Sequence, residues 1–185
     1  YADLGERRLD AILEVIPADH RRGYDMLRVI ELLADRGEVL EVQPAYGKAI
    51  LTVLAHVGGE PLAIVASQPC VKAGSIDAEA ADKAARFLEV ADAFHLPVLF
   101  LADTPGVMVG KLAEREGVLR RAMRMFAAQA RIRGVKIHVT VRKVYGVASC
   151  LMGMNPFDRQ TVSLTFPTGR LGAMPASGAG DAARA

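Results

Sequence analysis

The sequence is short of the features that announce most chemistries. It has two cysteines, Cys70 and Cys150, far apart in the chain. They offer neither a disulfide framework nor a metal clip, which fits a reducing, cytoplasmic setting. A lone cysteine of this kind is expected to be a small core residue. The four histidines (His20, His56, His95, His138) are too widely spaced to form a helical or hairpin metal pair, so no metal site is expected. No apolar run approaches the roughly 20 residues of a membrane span, and no stretch has the build of a secretory signal. Net charge is scarce too. With 23 Lys and Arg against 21 Asp and Glu, the formal charge is +2, too little for a nucleic-acid surface.

What remains is an ordinary globular composition, 51% hydrophobic and 24% charged over 185 residues. That length suits one domain, or one domain plus a fragment, and can bury a core without staples. The chain opens on Tyr1 rather than Met and closes in a small-residue run over 176–185, so both ends read as cut.

Apolar periodicity divides the chain. Leu4, Leu9, Ile12, Leu13 and Ile16 recur at helical spacing, predicting a helix over 1–16 that Pro17 stops. Residues 18–23 read as a polar linker. A second amphipathic helix is expected over 25–34, with Met26, Leu27, Ile30 and Leu33 on one face. Apolar runs over 49–57 and 62–66 flank Gly58-Gly59-Glu60-Pro61 and predict a β-hairpin. The clearest helix spans 77–94, capped by Asp77 or Ser75 and carrying a small-residue face of Ala81, Ala84, Ala85, Leu88 and Ala91. A strand buried on both faces is expected over 96–102. A helix over 117–131, a strand over 135–141, a turn over 142–146, a short helix over 148–154 and a strand over 162–166 follow. The order is helix, hairpin, then β-α-β-α-β: an α/β fold with a largely parallel core.

In such folds chemistry gathers where strands hand over to helices. Two glycine-containing junctions stand out, Asp103-Thr104-Pro105-Gly106-Val107 and Tyr145-Gly146-Val147-Ala148-Ser149. Each can aim free backbone N–H groups at a negative charge, or can simply be a tight turn. Asp103-Thr104-Pro105-Gly106 also matches a GTPase switch tetrapeptide, but no phosphate loop accompanies it. Gly106 and Gly110 enclose three residues where four are needed, and Leu112 follows Lys111. Ser149 sits where Clp-type serine proteases carry their nucleophile, yet all four histidines precede it, opposite to the Clp-type order. His138, on the preceding strand, is the one base it could use. The chain thus has donor junctions without a persuasive acid, base or nucleophile constellation. Oxyanion stabilisation, with the base supplied by a cofactor, would leave this pattern.

At these residues the chain resembles the C-terminal domain of the carboxyltransferase (beta-type) subunit of biotin-dependent acyl-CoA carboxylases, such as propionyl-CoA and acetyl-CoA carboxylases. The resembling segments run in order: Gly23-Tyr24-Asp25-Met26, then Gly58-Gly59-Glu60-Pro61 through Ser67-Gln68-Pro69, then Ala73-Gly74-Ser75-Ile76-Asp77 with Asp82-Lys83-Ala84-Ala85-Arg86-Phe87. Asp92-Ala93-Phe94-His95-Leu96-Pro97, Asp103-Thr104-Pro105-Gly106-Val107, Arg142-Lys143-Val144-Tyr145-Gly146 and Phe166-Pro167-Thr168 complete the set, covering about residues 17–175.

The resemblance implies a crotonase-like (ClpP/crotonase) spiral of β-β-α units with a largely parallel core sheet. Residues 1–16 would be the end of a preceding domain or a linker helix, and 17–185 a carboxyltransferase C-terminal domain truncated at its C-terminus. The implied reaction is carboxyl transfer from carboxybiotin to the α-carbon of an acyl-CoA, in fatty acid metabolism, with biotin held by this domain. Backbone amides of Gly106, Val107, Gly146, Val147 and Ala148 would bind the biotin ureido oxygen, and Cys150 would help set acyl-chain preference. Implied partners are an N-terminal carboxyltransferase half, a biotin carboxylase or biotin carrier subunit, and further copies in a homo-oligomer, with no nucleic acid or membrane. The family usually has Gly-Gly-Ala where this chain has Gly146-Val147-Ala148, and Phe where it has Val107. A side chain at Val147 can still present its N–H if φ stays negative. The alternatives are a domain of the same fold with lost or altered activity, serving as an assembly partner in a carboxylase complex, and a Clp-like serine hydrolase.

Overall fold

The computed structural model describes residues 8–155 and 161–175. A seven-stranded sheet forms its spine. Strands β1 (Val39–Glu41), β2 (Ile50–Val57) and β3 (Glu60–Ser67) form an antiparallel edge. Strand β4 (Val98–Thr104) then pairs parallel to β3, β5 (Lys136–Tyr145) to β4, and β6 (Thr161–Thr165) to β5. The short β7 (Arg170–Gly172) also pairs with β5, beyond the stretch that β6 occupies.

Period-two alternation sends successive side chains to opposite faces. Ala63, Val65, Val98, Phe100 and Ala102 face α3 (Ala78–Ala93) and α5 (Val118–Ala130), while Ile64, Ala66, Leu99 and Leu101 face α2 (Met26–Leu33). Every residue of β4 is buried, as its continuous apolar run predicts. The alanine face of α3 lets α5 pack close over it. Asp77 caps α3 by accepting the Ala80 N–H at 2.8 Å, and Asp25 caps α2 by accepting from Leu27. Asp35, itself buried, accepts the N–H groups of Gly58 and Gly59 at 2.8 and 2.7 Å and so pins the hairpin turn.

Four expectations need correction. Of the helix expected over 1–16, the described part holds only α1 (Ile12–Val15), with residues 1–7 outside the described chain. Ile16 is extended, as a residue before proline prefers. Residues 142–145 are strand rather than turn, because β7 supplies Lys143–Tyr145 with backbone partners. The short helix after Val147 is α6 (Ala148–Leu151), and the five-residue α4 (Lys111–Arg115) was not foreseen. Neither cysteine is a core residue: Cys70 is exposed and Cys150 half-buried. The 176–185 tail lies outside the described residues.

Candidate active site

The first junction is a turn clamped by one side chain. Thr104, fully buried at the end of β4, accepts the Gly106 N–H on Oγ1 at 3.1 Å and donates that hydroxyl to the Gly106 carbonyl at 3.2 Å. Gly106 has φ +136°, a conformation that favours glycine. Its carbonyl also accepts from Ile76 N–H, and the Ile76 carbonyl accepts from Met108 N–H, at 3.0 and 2.9 Å. These bonds make a parallel bridge between Ile76 and Val107. The residue between two such bonds turns its own N–H away from the bridged partner. Val107 therefore points its amide to the other side.

Backbone clamps hold the second junction. Gly146 (φ +58°) donates its N–H to the Gly172 carbonyl of β7 at 2.9 Å. Its carbonyl accepts the Ser149 N–H at 3.2 Å and the Ser149 hydroxyl at 2.8 Å. Val147 has φ −62° and ψ −21°, ordinary helical backbone, so its side chain costs nothing conformationally and its N–H is retained. The first N–H groups of a helix have no partner within it, and those of Val147 and Ala148 find no acceptor among the described residues. The amides of Gly106 and Gly146 are thus spent on shape. Those of Val107, Val147 and Ala148 are left over among the described residues.

Parallel pairing of β4 and β5 sets the junctions side by side. Thr104 pairs with Val144, and a Cβ on Gly106 would lie 3.9 Å from the Tyr145 carbonyl. Val107 and Val147 line one cavity of about 390 Å³, whose walls are mostly apolar and whose lining carries one ionisable side chain, Glu114. Val109, Leu112, Leu119 and Val147 are exposed around it. Cys150 lies on α6, half-buried, with its carbonyl accepting from Gln129 Nε2 at 2.7 Å.

Beneath the junctions lies a buried network. Asp103 is fully buried and takes Arg142 Nε on Oδ2 at 2.6 Å and the Tyr24 hydroxyl on the same oxygen at 2.9 Å. Arg142 also donates to the carbonyls of Asp19 and Arg22 at 3.1 and 2.9 Å and stacks 4.6 Å above the Tyr24 ring. Burial, and then the Asp103 carboxylate, push the Tyr24 phenol pKa up, so it stays a donor. Gln68 accepts from Met26 N–H at 3.1 Å and donates to Asp25 at 2.7 Å. Tyr24, Gln68, Asp103 and Arg142 each belong to a different segment of the resemblance. They meet as a staple that joins the linker to the ends of β4 and β5. Thr104, Gly172 and Ile76, which shape the junctions, were missed as such; the position of Thr104 before Pro-Gly was the one signal available.

The hydrolase alternative fails on geometry. Ser149 gives its hydroxyl proton to the Gly146 carbonyl, while buried His138 has Nδ1 at 2.7 Å from the Met152 carbonyl and Nε2 at 2.8 Å from Thr140 Oγ1. A carbonyl only accepts, so Nδ1 carries the proton and Nε2 is occupied by the Thr140 hydroxyl. Ser149 has no base there. Among the described residues no group of His, Cys, Asp and Glu is arranged to hold a metal ion, and no helix is long and apolar enough to cross a membrane.

Residues 2–183 match the family model described as the carboxyl transferase domain. The chain belongs to the carboxyl transferase domain family. It is 39% identical over 165 residues to the biotin-dependent acetyl-/propionyl-coenzyme A carboxylase beta5 subunit of Mycobacterium leprae, covering 89% of this chain and 30% of that one. The long chain acyl-coenzyme A carboxylase beta4 subunit of Mycobacterium tuberculosis is 37% identical over 165 residues, with 89% and 31% covered. Among solved structures, transcarboxylase 12S with hydrolyzed methylmalonyl-coenzyme A superposes with a TM-score of 0.92 at 32% identity, over 98% of this chain and 35% of that one. The fold is therefore that of the crotonase-like carboxyltransferases, and this carboxyl transferase domain spans about a third of the length of the curated relatives it matches.

Proposed function

We propose that this carboxyl transferase domain serves the biotin side of carboxyl transfer from carboxybiotin to the α-carbon of an acyl-CoA. The observation that carries the reading is that Val107 and Val147, whose amide N–H groups find no acceptor among the described residues, line one apolar-walled cavity, with Ala148 next in the chain. Such a cavity fits a fused, largely apolar ring, and the amides fit its single ureido oxygen. The bound cofactor would supply the carboxyl group and, once that group has left, a basic nitrogen for the α-proton. The Val107, Val147 and Ala148 N–H groups would serve as hydrogen-bond donors to the ureido oxygen of bound biotin. Gly106 and Gly146 contribute by backbone shape rather than as donors. Residues 17–185 would form the domain, with 1–16 ending a preceding one. Cys150, on α6, would tune acyl-chain preference. An N-terminal carboxyltransferase half, a biotin carrier and carboxylase subunit, and further copies of the chain would complete a cytoplasmic assembly.

With that half and a biotinylated carrier supplied, bicarbonate and ATP should yield malonyl-CoA or methylmalonyl-CoA. An intact assembly that makes neither would favour the alternative of an assembly partner without activity, a reading suggested by the Val147 side chain at the cavity.

A further inference from the structure

A second cleft lies at the other end of β4. Helix α3 packs over β2 and β3, and a space of about 500 Å³ remains between its C-terminal half and the edge of the sheet. Leu96, which lines it, precedes β4, whereas Gly106 follows β4, so the length of that strand, about 23 Å, separates the cleft from the junctions. Its walls are apolar. Phe87, Val90 and Phe94 share one face of α3 at helical spacing and oppose Val42, Leu54 and Leu96. Val90 is 48% and Phe94 73% exposed, an apolar surface gathered in a concave place of ligand-binding size.

The cleft has one polar end. Arg86, one turn before Val90, and Gln43 line both the cleft and an adjoining polar pocket that Tyr46, Asp82, Lys83 and Arg124 complete. Charges in that pocket are matched except at Arg86. Lys83 Nζ donates to the Ile50 carbonyl at 2.9 Å and lies 3.9 Å from Glu41. Asp82 pairs with Arg121, and Arg124 lies 3.6 Å from Glu89. Among the described residues Arg86 has no hydrogen-bond or ion-pair partner. A guanidinium presents a fork that matches one carboxylate. From Arg86 to Phe94 α3 advances about 12 Å, the reach of a chain of about ten carbons. We infer that this cleft binds a medium-chain carboxylate, with its alkyl chain along Phe87, Val90 and Phe94 and its head on Arg86. The site stands apart from the transfer centre and does not rest on the reading of it.

The test is titration of the chain with hexanoate, octanoate and decanoate below micelle formation, followed by calorimetry and amide NMR. Shifts should gather at Val42, Gln43, Leu54, Val90 and Phe94 and leave Val147 and Ala148 unmoved. Affinity should rise about twofold to fourfold with each added CH₂ and level off beyond decanoate. Decanol should bind about tenfold more weakly than decanoate, having no charge for Arg86 to meet. Arg86→Gln should erase that preference and keep the chain-length slope. Val90→Glu, which sets a carboxylate in the apolar wall, should abolish binding. Both positions are exposed, so both variants should keep the wild-type melting temperature. Absent binding, shifts gathered elsewhere, or affinity indifferent to chain length overturns the inference. So does decanoate binding no better than decanol with Arg86→Gln silent. Binding that vanishes once the chain is joined to an N-terminal carboxyltransferase half also overturns it, because the cleft is then an interface. The transfer reading survives each of these outcomes, since product formation judges it separately.

Discussion

The two strand ends that border the cavity solve one problem with different means. The β4 junction is closed by a side chain, Thr104, and by a bridge to Ile76 upstream of α3. The β5 junction is closed by backbone, through the Gly172 carbonyl of a strand that enters the sheet after β6. The first leaves the amide of Val107 unspent, and the second leaves those of Val147 and Ala148. A side-chain clamp depends on the residue at one position; a backbone clamp depends on β7 being in register. Each junction thus combines a local bond, from Thr104 or from Ser149, with one from distant chain, Ile76 at the first and Gly172 at the second.

Both hang from the Asp103–Arg142 pair, so breaking that pair should erase the contrast. Arg142→Met strands a buried carboxylate and releases the Asp19 and Arg22 carbonyls. It should destabilise the chain by about 3–5 kcal/mol, as removing one partner of a buried ion pair does, read by urea unfolding. Val147→Pro strikes the β5 junction alone. Its φ of −62° already suits proline, so the fold should stand while one donor goes. Transfer should fall by about a hundredfold to a thousandfold, with an unchanged melting temperature. Full activity in that variant would remove Val147 from the site.

Acid should loosen the second junction before the first. His138 sits under α6 with its pKa lowered, first by burial, against the opposing pull of its bond to the Met152 carbonyl. The folded chain therefore prefers the neutral ring. Stability is full above the unfolded value of about 6.5 and declines as pH falls below it, by up to about 1.4 kcal/mol per pH unit, until the folded pKa is reached. His20 has a lowered pKa too, from burial and then the nearby Arg170, Arg142 and Lys143 charges, with Asp103 opposing, and it adds to the same slope. In His138→Gln the slope of unfolding free energy between pH 6.5 and 5 should shrink by that one proton; an unaltered slope would show that His138 does not titrate on unfolding. The smallest effect belongs to Ser149→Ala, which deletes a hydroxyl bond to a Gly146 carbonyl that keeps its Ser149 N–H partner. It should cost about 1 kcal/mol in chemical denaturation. It should also leave transfer intact.

The local rules read well from the sequence because their causes are local. The Asp77 cap, the Gly58-Gly59 hairpin and the apolar run of β4 follow from spacing and residue type within a few positions. The junctions were found for the same reason, through glycine placed after apolar strands. Their internal wiring was not legible. Nothing in Tyr145-Gly146 states that a carbonyl at Gly172 will take the Gly146 proton. Nothing near Thr104 states that Ile76 will bridge Val107. The turn expected over 142–146 became strand for that reason: β7 pairs from a distance.

By itself, then, the sequence determined that this would be an α/β chain with a mostly parallel sheet, donor-rich junctions at Gly106 and Gly146, and no serine triad in the usual order. Tertiary structure alone decided which amides remained available. A backbone N–H is chemically the same at every residue but proline, so only its spatial neighbours determine whether it is spent. Gly172 and Thr104 consume the glycine amides, and parallel pairing of β4 with β5 brings Val107 and Val147 to one cavity.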